Sequence, residues 1–218
     1  MRPLAVSCVL ASVLALALPA AAQGPPPRIP LWVIDFHAAA PSFPVEQALA
    51  DSHALTFAEL PGLALGGDVA LHIYPYRWRA VTFGLGGRLT MARAHQDASI
   101  TTTSTSTNVV RAVTERFTFL GPELSLNFGT GAGWSYLSAG IATSQWSIVP
   151  DGTVSLPPDE ERLKTLTYGG GARWFAKPHV AFSFDVRFYA VNPSTAVGTL
   201  PAGPRTTLLV VGAGISLK

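Results

Sequence analysis

The chain has few cysteines and few charges. Only one of its 218 residues is Cys, so a disulfide framework and a multi-cysteine metal or redox site are both excluded. Charged residues make up 13% of the chain, about half of what a typical soluble domain carries. The formal net charge of +2 argues against a nucleic-acid binder driven by attraction to phosphates. Long apolar runs are also scarce, and beyond the N-terminus none approaches the roughly 18 residues of a membrane helix.

The first 22 residues have the pattern of a secretory signal peptide. Arg2 precedes an apolar stretch from Leu4 to Leu18, and Pro19 followed by three alanines supplies a small-residue cleavage site. A transmembrane anchor is the alternative, but the stretch is short for about 30 Å of hydrocarbon. We therefore expect residues 1–22 to be removed on export and residues 23–218 to form one domain.

Beyond the signal, apolar residues alternate with small or polar ones. In residues 180–189, VAFSFDVRFY, almost every second side chain is large and apolar, which is typical of a strand with two different faces. Only Pro44 to Leu60 favours a short helix, with Pro44 in its first turn. The alternation predicts eight strands, at about 30–40, 63–75, 79–95, 109–128, 133–148, 164–176, 179–191 and 205–217.

The lengths of the strands and of their connections indicate a membrane barrel. Most predicted strands exceed the roughly 9–11 residues that a strand needs to cross a bilayer, and they are about twice the usual globular length. Long and short connections alternate, as in transmembrane barrels with long outside loops. The connections that we expect outside are 41–62, 96–108, 149–163 and 192–204. The predicted fold is all-β, an eight-stranded antiparallel up-and-down transmembrane β-barrel, with the Thr/Ser tract 101–107 as an exposed, mobile loop.

One face of the predicted strands carries acids and arginines that nearly balance. Lysine, which is common on solvated faces, occurs only three times in the chain, whereas arginine can bind a buried carboxylate through two hydrogen bonds. We therefore expect this face to line the barrel interior, which at eight strands is just wide enough for side chains to fill. Surface charges on a soluble barrel are the alternative. The predicted interior ion-pair network, a structural site, comprises Asp35, Asp68, His72, Arg88, Glu123, Arg173, Asp185 and Arg187.

The other face is apolar and predicts contact with lipid. Aromatic residues beside the three short turns predict an interfacial girdle. Gly121-Pro122 interrupts the fourth strand. The large apolar residues stand at odd positions before it, as Phe117 and Phe119, and at even positions after it, as Leu124 and Leu126, which predicts a β-bulge. The predicted girdle residues are Tyr74, Tyr76, Trp78, Trp134, Tyr136, Trp174 and Phe175.

Two segments carry a family resemblance. GPELSLNFGTGAGWSYLSAG (121–140) and YGGGARWFAKPHVAFSFDVRFYAV (168–191) resemble the strand, turn, strand units of small bacterial outer-membrane β-barrel proteins, the group with outer-membrane protein A-like and W-like eight-stranded barrels. The resemblance implies an outer-membrane location, insertion by the barrel assembly machinery, and contact of a monomer with outer-membrane lipid and lipopolysaccharide. The chain departs from the group's usual aromatic C-terminus, because it ends in Leu217-Lys218.

Motifs for chemistry are scarce, so we predict no catalytic, cofactor or metal residues. The five histidines form no H-E-x-x-H motif, and G-x-S-x-G is absent. His37 and His95 are expected near the outer strand ends, and Asp159-Glu160-Glu161 in a solvated loop. The leading function is a non-enzymatic envelope barrel with a structural or surface-interaction role. A narrow pore or channel for small apolar solutes, and a barrel-borne lipid-modifying enzyme, are the alternatives; the nearest approach to a catalytic cluster is Asp35, Asp68 and His72.

Overall fold

Eight antiparallel strands close into a barrel in the computed structural model, which describes residues 27–102 and 107–218. The predicted signal peptide, residues 1–22, lies outside these ranges. Each strand pairs with its neighbour along the chain, and the first pairs with the last, so the predicted eight-stranded barrel is confirmed. The barrel strands are β1 (Trp32–Ser42), β2 (Leu65–Trp78), β3 (Val81–Gln96), β6 (Val113–Thr130), β7 (Gly133–Pro150), β8 (Leu163–Phe175), β9 (Val180–Val191) and β10 (Thr206–Leu217).

Side chains alternate between the inside and the outside of this wall. On β9, the Phe184 side chain is 41% exposed, whereas Asp185 beside it is 4% exposed. Most of the large outward residues are apolar, whereas every acid on the barrel strands and three of their arginines point inward, which is the reverse of a soluble barrel. Because a belt of exposed Leu, Ile, Val and Phe surrounds the wall, its outer surface suits hydrocarbon and not water.

The connections lie at two ends, which we call the loop end and the turn end. The long connections at the loop end contain a short helix, α1 (Gln47–Ser52), a 3-10 turn (Phe57–Glu59) and a one-turn helix, α2 (Pro157–Glu160). The helix expected over Pro44 to Leu60 is therefore split into α1 and the 3-10 turn. In the described part of the chain no helix combines the length and hydropathy needed to span a bilayer.

The second long connection is not the loop that the Thr/Ser tract predicts. Strands β4 (Ser99–Thr102) and β5 (Thr107–Val110) form a two-stranded antiparallel sheet of their own, with Ile100 opposite Val109. The fourth barrel strand therefore begins at Val113, later than the predicted residue 109. Residues 103–106 of the tract lie outside the described residues. Threonine and valine favour extended structure, which explains the strands at Ser99–Thr102 and Thr107–Val110.

The predicted bulge at Gly121-Pro122 is wrong. The register of β6 with β3 is continuous, from Leu120 opposite Leu89 to Leu124 opposite Leu85. The apolar parity on β6 is misleading because Phe117 points into the lumen and not toward lipid, at 1% exposure. The register shift in this region lies in β2, between Ile73 and Tyr76.

The predicted aromatic girdle is partly wrong for the same reason. Tyr76, Trp78 and Trp174 are more than half exposed and face outward at the turn end. Tyr74 and Trp134, by contrast, are at most 6% exposed and pack edge to face inside the barrel, with ring centroids 6.1 Å apart. The turn end of the lumen is thus closed by aromatic rings.

Candidate functional site

The turn-end half of the lumen is built from charged side chains held by hydrogen bonds. Arg173 on β8 binds Asp35 on β1 through two hydrogen bonds, Nε to Oδ1 at 2.8 Å and Nη2 to Oδ2 at 2.5 Å. The hydroxyl of Ser216 donates to the same carboxylate at 2.5 Å. The Arg173 guanidinium also lies over the Tyr136 ring, 4.1 Å from its centroid. A planar guanidinium is suited to this combination of a bidentate pair and a stacked ring.

A second cluster surrounds Glu123 on β6. Its Oε1 accepts hydrogen bonds from Arg88 Nε and from Arg187 Nη1, both at 2.8 Å. Arg187 also donates twice to Asp185, at 3.1 Å each, and Arg88 donates to Asp68. The hydrogen bonds of Arg88 and Arg187 therefore link the four strands β2, β3, β6 and β9, and each of the two arginines is 1–2% exposed.

His72 joins the two clusters. Its Nδ1 lies 3.7 Å from Asp35 Oδ2, and its Nε2 lies 3.4 Å from Glu123 Oε2. The ring is fully buried, so both nitrogens face carboxylates away from solvent. The structure thus brings all eight residues of the predicted network together in the lumen, on strands β1, β2, β3, β6, β8 and β9.

The network also contains residues that the sequence pattern did not single out. His37 was expected near the outer end of its strand, but it lies in the lumen, where Nε2 is 2.8 Å from Ser183 Oγ and Nδ1 is 3.3 Å from Asp68 Oδ1. Strand parity places it with Asp35 and marks it as inward. The other unlisted partners are hydroxyl groups, which alternation alone does not distinguish: Thr90, Ser138, Ser183 and Ser216. The girdle prediction for Tyr136 is wrong, because its side chain is 2% exposed and its hydroxyl donates to Asp185 Oδ2 at 2.6 Å in the lumen.

The loop-end half of the lumen is apolar. The Tyr189 ring packs edge to face against Phe119 at 5.0 Å and Phe117 at 5.3 Å between centroids. Its hydroxyl lies 2.6 Å from Thr90 Oγ1, and this contact marks the border with the charged half. Glu115 is an isolated acid here: it is fully buried, and Oε1 accepts one hydrogen bond from Trp146 Nε1 at 2.7 Å.

The first long connection folds down over this apolar half. Phe43, Leu49, Leu55 and Leu60 are each at most 6% exposed and join the same cluster as the inward residues of the wall. Burial of a Leu or Phe side chain contributes about 1.5–3 kcal/mol. The connection therefore acts as an apolar plug at the loop end.

An ion pair fastens the plug to the second long connection. Glu59 accepts hydrogen bonds from Arg111 Nε at 2.7 Å and from the Arg111 backbone at 3.0 Å, and it also caps the 3-10 turn through the Thr56 backbone at 2.7 Å. Arg111 in turn donates to the Ala54 carbonyl at 2.7 Å. The hydrogen bond from Arg111 is the main cause that lowers the pKa of Glu59, to about 2.

The third and fourth long connections also join this assembly at the loop end, and we call the four linked connections the cap. His53 Nε2, beside α1, lies 3.4 Å from Asp159 Oδ1 on α2, and both side chains are at most 7% exposed. Glu161 accepts from Thr195 N at 2.9 Å and Oγ1 at 3.0 Å. All four long connections are thus linked at the loop end. Asp159 is not the solvated residue that its acidic run predicts, because its carboxylate accepts the backbone N–H groups of Ile148 and Leu156 at 2.8 and 2.7 Å.

The cap contains a serine, a histidine and an acid in contact, but their geometry is structural. Ser52 Oγ is 2.9 Å from His53 Nδ1, and Asp159 is on the other ring nitrogen. The hydroxyl of Ser52 donates to the Leu49 carbonyl at 2.8 Å, so its proton is directed at the backbone and not at the histidine, and the residue is 5% exposed. Sequence reasoning missed this contact because His53 and Asp159 are 106 positions apart in the chain, in two connections that only the closed barrel brings together.

The remaining histidines lie at the two rims. His95, expected near the outer end of its strand, is there: Nε2 lies 3.2 Å from Asp97 Oδ1 and Nδ1 lies 3.1 Å from Thr114 Oγ1. His179 is at the turn end, 3.1 Å from the Lys218 carbonyl. Among residues 27–102 and 107–218, no group of three or more His, Cys, Asp or Glu side chains is placed to hold a metal ion.

Comparison with known proteins finds similar chains among solved structures. No family model and no curated protein matches the chain. Among solved structures, Neisserial surface protein A is 15% identical, with 86% of this chain and 95% of that chain covered and a TM-score of 0.47. The N-terminal β-barrel domain of Pseudomonas aeruginosa OprF is 12% identical, with 86% and 96% covered and a TM-score of 0.41. Ail, the attachment invasion locus protein of Yersinia pestis, is 11% identical, with 85% and 96% covered and a TM-score of 0.43. The resemblance to small outer-membrane barrels is confirmed at the level of the fold, which rests on this chain's own strand pairing.

Proposed function

We propose that this chain is a monomeric, non-enzymatic barrel of the bacterial outer membrane with a structural or surface-interaction role. The export signal predicted for residues 1–22, the alternation of long and short connections and the apolar outer wall support this location. Its proposed partners are outer-membrane lipid and lipopolysaccharide, and the barrel assembly machinery inserts it. No feature of its near-neutral composition favours nucleic acid.

The observation that carries the role is the closed lumen. Ion pairs fill one half, apolar side chains fill the other, the first long connection plugs the loop end, and aromatic rings lie across the turn end. A filled interior disfavours the pore and channel alternatives. The interior ion-pair network is proposed to be structural, because its carboxylates are already paired with arginines.

The surface left for recognition is the linked cap at the loop end. Its four connections contact one another through charged hydrogen bonds, so they present one ordered surface. On the β4–β5 hairpin, the cross-strand pair Ile100 and Val109 is 71% and 61% exposed. Exposed apolar residues on an ordered surface are typical of protein contact sites, and we propose that this hairpin takes part in recognition.

The proposal is tested by membrane fractionation together with conductance. We expect the protein in the outer-membrane fraction, with electrophoretic migration that changes on boiling, and no steady conductance after refolding into a planar bilayer. Recovery in the soluble periplasmic fraction would overturn the location. A steady conductance that rises in a Leu49→Ala variant, which loosens the plug, would favour the pore alternative instead.

A further inference from the structure

The charges on the barrel strands are sorted by sign between the two faces of the wall. Every acid on the eight barrel strands is buried: Asp35, Asp68, Glu115, Glu123 and Asp185. The exposed charged residues on the same strands are all basic: Arg77, Arg93, Arg116 and Lys164. The wall therefore presents only cations to its surroundings at the edges of the apolar belt.

Two of these cations stand directly opposite each other. Arg93 on β3 pairs with Arg116 on β6 in the strand register, and both are exposed. Side chains in directly opposed positions have Cβ atoms about 4.5–5.5 Å apart, and like charges placed there are destabilising. The next positions across the strands are Leu65 on one side and Ser147 on the other, so no carboxylate lies laterally beside the pair. The nearest acids lie toward the loops, where Asp97 contacts His95 and Asp151 accepts a hydrogen bond from Thr114.

The arginine pair lies at the loop-end edge of the apolar belt. On β3, the outward residues just below Arg93 are Met91 and Leu89, which are 55% and 36% exposed. On β6, Leu120 is 67% exposed and follows Arg116 by four residues. The two guanidinium groups are therefore at the level where the phosphates of a lipid leaflet meet the hydrocarbon.

A groove begins one outward position below the pair. Gly67 lies opposite both Ala38 on β1 and Met91 on β3, and the small size of Gly67 and Ala38 leaves a depression of about 480 Å³ in the outer wall. Its outward lining is apolar and consists of Phe36, Ala38, Gly67, Val69, Leu89 and Met91. The Arg93–Arg116 pair, which we call the head position, is thus followed along the wall by an apolar groove.

We propose that the Arg93–Arg116 pair and this groove bind one phosphorylated lipid of the leaflet at the loop end. The two guanidinium groups bind the phosphate, which removes their mutual repulsion, and an acyl chain lies in the groove. A second copy of the chain fits this position poorly, because its barrel wall has no outward acid to offer the arginines. The inference rests on the proposed membrane location and adds the chemical class of the lipid that binds at this position of the wall.

The test compares matched variants of the full chain, purified from membranes in mild detergent. The head position is removed in R93Q/R116Q and in each single variant, with Lys164→Gln as the control, since Lys164 lies opposite Thr143 and not another cation. The groove is filled in Gly67→Leu, where an added Cβ meets nothing nearer than the His37 carbonyl at 3.8 Å. Ala139→Leu is its control, because Ala139 lines a different outer groove next to Leu124.

Native mass spectrometry is used to count retained lipid and to titrate three probes. The probes are a phosphorylated diacyl lipid, the same lipid without phosphate, and inorganic phosphate. We expect the phosphorylated lipid to bind about five-fold more weakly for each arginine removed and about 25-fold more weakly in R93Q/R116Q. Gly67→Leu weakens that lipid but not inorganic phosphate, and both controls bind as the parent does.

Equal retention of the phosphorylated lipid by R93Q/R116Q and its parent overturns the proposal, as does equal binding of the lipid without phosphate. Inorganic phosphate binding as tightly as the lipid reduces the site to a phosphate site and overturns the role of the groove. Migration before and after boiling is recorded for each variant. Failure of the parent itself to show a heat-modifiable barrel counts against the proposed function, and so the two failures are distinguishable.

Discussion

The two halves of the lumen share one wall but are filled by different chemistry. The turn-end half is held by ion pairs between strands far apart in the chain, such as Asp35 with Arg173, 138 residues away. The loop-end half is apolar and is completed by a neighbouring connection that folds back over it. Ion pairs require every partner in place, whereas apolar packing tolerates small rearrangements. The charged half therefore specifies how the barrel closes, and the apolar half seals it.

The largest expected effect comes from breaking the charged half. Arg173→Leu leaves Asp35 buried without its partner and should lower the free energy of unfolding by about 3–5 kcal/mol, as removal of one member of a buried ion pair does. Urea unfolding of the refolded protein, followed by heat-modifiable migration, measures this.

The double variant Asp35→Leu/Arg173→Leu is the control. It removes both charges and should recover most of the lost stability, since an apolar pair replaces a buried ion pair at little cost. A double variant as unstable as Arg173→Leu would show that the arginine acts through packing on Tyr136 and not through charge.

A smaller effect is expected in the apolar half. Leu49→Ala removes a plug side chain that is 3% exposed, and it should cost about 2–3 kcal/mol, near the low end for a buried leucine because the connection can settle into the space. The readout is faster protease cleavage within residues 43–64 of the folded barrel. Phe57→Ala in the same connection is the control, because Phe57 is 52% exposed; an equal effect there would contradict the plug.

The smallest effect is a loss of the ion pair on the plug at acid pH. The folded pKa of Glu59, about 2, lies below its ordinary value of 4.5, so its contribution is complete above about pH 4.5 and is lost as the pH falls toward 2. Because the Arg111 side chain is half exposed, we expect only about 1 kcal/mol. The protection factors of the amides at residues 54–60, which are the exchange rates corrected for the intrinsic pH dependence of an unstructured peptide, should therefore fall about five-fold between pH 4.5 and 2. Glu59→Gln should remove this fall, and an unchanged fall in Glu59→Gln would assign it to another group.

The strands and the charged network followed from alternation, because a two-residue period separates the faces of any strand. Asp35, Arg88 and Arg187 were recognisable as inward because they alternate along their strands with large apolar residues, which occupy the lipid-facing side. The same rule failed for Phe117, whose apolar side chain looks lipid-facing until the apolar half of the lumen is known. Parity shows that two faces differ, but it does not show that one face changes chemistry halfway along the barrel.

The cap was beyond reach of the sequence for another reason. Its contacts join connections whose relative positions depend on barrel closure, as for Glu59 with Arg111 and His53 with Asp159. No local pattern in the sequence marks them, and the acidic run 159–161 even suggested a solvated loop. Such contacts become predictable only after the strand order is known.

The most direct test of the account is the lipid exposure of two adjacent residues on β9. Spin labels are placed one at a time at Phe184 and Asp185 in protein refolded into vesicles, and their collisions with a lipid-soluble relaxation agent are measured. The label at 184 should collide strongly with the agent, while the label at 185 should be shielded inside the barrel. Strong lipid exposure at 185 with shielding at 184 would contradict the assignment of the charged face to the lumen and of the apolar face to the membrane.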